Sequence, residues 1–134
     1  MYRHSKKQGA AGLGQAIAYF TMRGHDVALP LTDSADWDLI VEIDGNLKRI
    51  QVKTSSQISA RGVMIFNCDV KGGNKSGSIT SKTIQEQNWD LLFLHHLVPV
   101  YQSPIPKDAL ATKGQVNLGG QKYNEYIING VVDH

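Results

Sequence analysis

The chain is predicted to fold as α/β, a mixed central β-sheet flanked by helices. Three observations support this. An apolar stripe at helical spacing opens the chain, two alternating runs around a tight turn follow, and strongly apolar short runs return after a polar stretch. The 134 residues fit one domain with one core, spanning 1–134.

Leu13, Ile17 and Phe20 repeat at helical spacing and predict a helix over 8–23, ended by Gly24. Asp26 to Leu29 reads as a short strand stopped by Pro30, and 31–35 as a loop. Leu39, Val41 and Ile43 alternate with Asp38, Ile40 and Glu42, as Ile50, Val52 and Thr54 do with Arg49, Gln51 and Lys53. Between them Gly45-Asn46 is the expected hairpin turn. Val63 to Cys68 is expected as a third meander strand, Lys71 to Ser81 as a mobile loop, and 80–87 as a short helix. Trp89 to His95 and Val98 to Tyr101 read as strands, with Pro104 and Pro106 breaking the chain before a short helix near Lys107. Tyr123 to Val132 is assigned to an edge strand.

The composition excludes several classes. No apolar run approaches the ~20 residues that span a bilayer. Polar and basic residues fill positions 2–8, so a secretory leader is not expected and a cytoplasmic location is. A single cysteine, Cys68, excludes an internal disulfide framework and a cysteine-rich zinc site. The net charge is only +2, but its distribution is uneven. Arg3, Lys6 and Lys7 open the chain, and Lys48, Arg61, Lys71, Lys75 and Lys82 follow an acidic knot of Asp33, Asp36, Asp38, Glu42 and Asp44. Basic flanks around an acidic centre suit a metal-dependent enzyme acting on a polyanion; the plainer alternative is solvated surface charge.

The hairpin carries the chemistry. A turn at Gly45-Asn46 pairs Asp38 with Lys53 and Ile40 with Gln51; a turn at Asp44-Gly45 pairs Asp38 with Gln51 instead. In either register Asp38, Gln51 and Lys53 share one face, opposite the apolar face of Leu39, Val41, Ile43, Ile50 and Val52. Asp38, the Gln51 side-chain oxygen and the Val52 carbonyl are hard oxygen ligands suited to magnesium. Lys53 is placed to orient a water or to stabilise charge on a phosphate. The structural alternative is an exposed Asp–Lys pair worth about 0–1 kcal/mol.

At this point the motifs resemble a known family. Gly12 to Gln15 on the helix, Gly24 to Pro30, Asp38 at the start of a strand and Arg49 to Thr54 resemble the PD-(D/E)XK nuclease superfamily. The likeness covers roughly residues 9–110 and is strongest to the branch of Holliday junction resolvases and the cyanobacterial group I intron homing endonuclease. It implies a restriction-endonuclease-like core, double-stranded or branched DNA as partner, and Mg2+ or Mn2+ as cofactor. It implies Asp38 as the obligatory metal carboxylate, Gln51 in a position more often acidic, Lys53 as the catalytic lysine, and Gln15 in place of a helix glutamate. Arg3, Lys6, Lys7, Lys48, Arg61, Lys71, Lys75 and Lys82 are then candidates for phosphate contacts. With Gln15 and Gln51 neutral, weak metal binding without DNA is expected, the full site assembling on DNA. The resemblance favours a homing-type endonuclease, since Gln51 matches that subgroup, with a junction resolvase and an inactive DNA-binding module as the alternatives; the first two imply a homo-oligomer, dimer or tetramer.

Other candidates are set aside. His95 and His96 point to opposite sides of a strand and cannot easily share an ion. Cys68 is expected as a buried thiol, Asp33 and Asp36 as turn formers, and the Gly72-Gly73 loop lacks a nucleotide-binding ending.

Overall fold

The computed structural model describes residues 5–33, 36–73 and 79–129. One α-helix, α1 (Ser5–Met22), starts earlier than its apolar stripe suggests and ends at Gly24, whose φ of 84° suits glycine. Then come β1 (Val27–Ala28), β2 (Leu39–Ile43), β3 (Asn46–Ser55), β4 (Met64–Asn67), β5 (Val70–Gly73), β6 (Ile79–Lys82), β7 (Leu91–His96), β8 (Tyr101–Pro106), β9 (Gln115–Leu118) and β10 (Ile128–Asn129). The main sheet has six strands in the order β1-β2-β3-β7-β8-β10. It is mixed: β3 and β7 run parallel, and every other neighbouring pair is antiparallel.

The hairpin register is the second of the two considered. Ile43 faces Asn46 and Leu39 faces Ile50, so Asp44 and Gly45 form the turn and the Gly45-Asn46 expectation is corrected. Both turn residues have positive φ, 52° and 82°, the conformation whose twist matches the strands. Aspartate tolerates that region, so Asp-Gly outcompetes Gly-Asn here.

Each sheet face has its own core. Ala16 and Phe20 of α1 pack on Leu39, Val41, Ile50 and Phe93. Gly12 lets the helix approach so closely that a Cβ there would overlap the Thr54 hydroxyl. On the other face Phe66, Trp89, Leu92, Leu94, Ile105 and Leu118 form a larger cluster.

Several expectations are corrected. β4 does not extend the meander; it pairs with β9, because β7 already occupies the free edge of β3. The Lys71–Ser81 loop is a hairpin of β5 and β6. The helix over 80–87 is replaced by the end of β6 and one turn, in which Glu86 accepts from the Thr83 N–H at 3.0 Å. Residues 97–100 form a turn rather than a strand. Pro104 and Pro106 lie inside β8, where β10 reaches only Tyr101 and Gln102 and no partner needs their missing N–H. A 3-10 turn does begin at Lys107. Of the Tyr123–Val132 edge strand only Ile128–Asn129 is found, and 130–134 lie outside the described residues. Among the described residues one α-helix flanks the sheet, the second layer being largely β. No helix among them is long and apolar enough to cross a membrane.

Candidate active site

The site forms where β2 begins. The Asp38 N–H donates to the Ile50 carbonyl at 2.8 Å, and its carboxylate accepts from the Val52 N–H at 2.8 Å. The carboxylate thus takes the place of the next ladder acceptor on an edge that β2 does not cover. A residue's N–H and C=O point to the same side of a strand, so the Val52 carbonyl shares that edge. The Gln51 amide, turned to donate, reaches Asp38 Oδ2 at 2.9 Å and the Asp36 carbonyl at 3.0 Å. Turned the other way, it sets its oxygen beside the carboxylate.

Lys53 lies two residues further along the same face. Among the described residues it has no ion pair. Burial pushes the Asp38 carboxyl above its ordinary range, while the Val52 N–H and the Lys53 charge pull it down less strongly. A partly buried carboxylate whose neighbours do not offset its desolvation is a candidate ligand-binding group. Asp38, Gln51 and Val52 offer a carboxylate, an amide oxygen and a carbonyl, which fit a hard divalent cation. No group of three or more His, Cys, Asp or Glu side chains that could hold a metal occurs among the described residues, so this set is charge-poor.

Gln15 is not brought into the group. It is exposed on the helix side, where its Oε1 accepts from Gln102 Nε2 at 3.0 Å. From α1, Leu13 lines a recess with Leu29, Pro30, Leu31, Trp37 and Asp38.

Asp36, expected as a turn former, is buried. It accepts from the Asn88 N–H at 2.8 Å and from Lys82 Nζ at 3.4 Å. Lys82, a candidate for phosphate contact, pairs with Asp36 while its side chain stays half exposed. The sequence marks neither partner, since both lie more than 40 residues away. Asp33 stands at the recess.

Lys6, Lys7 and Arg61 are exposed; Lys48 is half-buried near the far end of the hairpin. Lys71 lies on β5, and Arg3 and Lys75 lie outside the described residues. His95 and His96 do face opposite sides, the first toward Gln102, the second between the Pro99 and Gln57 carbonyls at 2.8 and 2.9 Å. Cys68 is buried, which pushes its thiol up to about 12 and makes it a poor nucleophile.

A family model described as PD-(D/E)XK endonuclease matches residues 3–113. No curated protein sequence matches the chain. Among solved structures the chain is similar to the bacterial homing endonuclease I-Ssp6803I, with a TM-score of 0.72 at 19% identity, over 90% of this chain and 81% of the other. The fold is thus that of a restriction-endonuclease-like core.

Proposed function

Because the chain belongs to the PD-(D/E)XK endonuclease family, we propose that it is a magnesium-dependent DNA endonuclease of the homing type, with Asp38, Gln51 and Lys53 at its centre. The observation that carries this reading is the meeting of Asp38 and Gln51 at the open edge of β3, with Lys53 next on the same face. Asp38, the Gln51 oxygen and the Val52 carbonyl hold the ion; manganese would satisfy the same oxygens. When bound, that ion supplies positive charge against the phosphate and acidifies a water. Lys53 orients that water or balances charge on the phosphate oxygens. One carboxylate gives weak attraction for a dication, so phosphate oxygens complete the site and free protein binds magnesium weakly.

The homing type is favoured by the likeness of fold to a homing endonuclease and by the neutral Gln51. A chain of this size reads a long site only as a dimer or tetramer. Exposed Lys6, Lys7 and Arg61, with Arg3, Lys48, Lys71 and Lys75, contact phosphates and make affinity fall with salt.

The test is incubation with magnesium, a four-way junction, and linear and supercoiled DNA from the source. A single discrete double-strand break supports this reading. Selective nicking of the junction supports a resolvase instead, and binding without any cleavage supports an inactive module.

A further inference from the structure

We propose that the recess beside Asp38 is a nucleoside subsite, which takes the deoxyribose and base flanking the scissile phosphate. This rests on the nuclease reading and extends it to surface that the metal and Lys53 do not use.

The recess has a volume of about 290 Å3 and shares Asp38 as a wall with the candidate metal site. Whatever reaches an ion on Asp38 therefore borders the recess. Its other walls decide what enters. Among the described residues no Lys or Arg lines it, and Asp33 is acidic, so away from an ion on Asp38 the recess does not favour a phosphate. Leu13 and Trp37 form its apolar side, and Leu29 and Leu31 stand at its rim. Leu31 is fully exposed and Leu29 more than half exposed, and neither belongs to a core cluster. The lining is mixed, and of the parts of a DNA strand a nucleoside matches it best: sugar and base faces lie against Leu13 and Trp37, and base amino groups donate to Thr32 and Asp33. The volume lies just below the roughly 300–1,000 Å3 of small-molecule sites, room for one nucleoside and not for a duplex.

The local backbone explains why the rim is there. β1 pairs with β2 at Val27–Val41 and Ala28–Ile40, and continuing that register sets Pro30 opposite Asp38. The pairing stops before Pro30, and Leu29 and Leu31, on either side of the proline, line the recess outside the β1–β2 ladder. Apolar side chains so placed act as wedges against a base step.

The test maps the cut and places 2-aminopurine at the flanking base. The Lys53→Ala protein, which holds DNA uncut, should raise its fluorescence several-fold, because the base leaves its stack. Adding Leu31→Ser should abolish that rise at DNA concentrations that keep the protein saturated. In the otherwise native chain, Leu31→Ser and Leu29→Ser should each slow cleavage by about tenfold. Unchanged fluorescence together with undiminished cleavage by both serine variants overturns the subsite and leaves the nuclease reading standing. A native protein that cuts no DNA overturns both.

Discussion

The two halves of β3 handle charge in opposite ways. In the first, Arg49 and Asp90 are fully engaged: the Arg49 N–H donates to Asp90 Oδ2 at 2.8 Å, and its Nε and Nη2 donate to the same carboxylate at 3.2 Å. Those bonds hold the Asp90 carboxyl below its ordinary range. In the second, burial holds the Asp38 carboxyl above its ordinary range, and Lys53 does not restore the balance. The same contrast separates Asp36 from Asp38, two residues apart: the first is buried with Lys82 and the Asn88 N–H, while the second faces an open edge. Paired charges fix the strand; in the proposed function the unbalanced one serves a ligand.

The largest effect should come from the unbalanced half. Lys53→Ala should lower cleavage by about 100- to 1,000-fold. DNA affinity should change little, and the thermal midpoint should be unchanged. Full cleavage by this variant would erase the contrast.

A second substitution asks whether the open half is rigid. Gly12→Ala drives a methyl into Thr54 from the helix side and should cost about 1–3 kcal/mol in urea unfolding. Thr54→Ala in the same chain should recover part of it. A neutral Gly12→Ala would mean that the helix does not clamp this strand.

Gln51→Glu sharpens the contrast from the metal side. It places a second carboxylate next to Asp38 and should lower the magnesium concentration for half-maximal cleavage by about tenfold, the equivalent of one added favourable interaction of ~1.4 kcal/mol. An unchanged magnesium dependence would remove Gln51 from the ion.

The smallest effect belongs to the paired half. Asp90→Asn should destabilise by about 1 kcal/mol at pH 7, since the pair is partly exposed to solvent. A lowered carboxyl contributes stability above its unfolded value of about 3.9 and loses it as pH falls through the folded value. The gap between native and variant should therefore narrow as pH falls below the ordinary carboxylate range, and a constant gap would assign the loss to packing.

Much of the open half was legible in the sequence. Alternation at i and i+2 is local, and it put Asp38, Gln51 and Lys53 on one face whichever turn formed. The turn is less legible, because Asp-Gly and Gly-Asn both suit a two-residue hairpin and only the observed register separates them. The β4–β9 pairing joins segments some fifty residues apart, and nothing local announces it. The β5–β6 hairpin is built from Gly, Ser and Lys, a composition that reads as loop. Gln15 was placed by motif, and the helix turns it toward Gln102 while Leu13 meets the recess. Asp36 looked like a turn former because Lys82 and Asn88 reach it from distant parts of the chain.

Asp38→Asn examines the unbalanced carboxylate most directly, with urea unfolding and cleavage measured on one preparation. The asparagine oxygen still accepts the Val52 N–H while the poorly compensated charge is gone. Unchanged or greater stability with cleavage abolished is the predicted result. A marked loss of stability with cleavage retained would show that Asp38 holds the strand rather than serving the reaction.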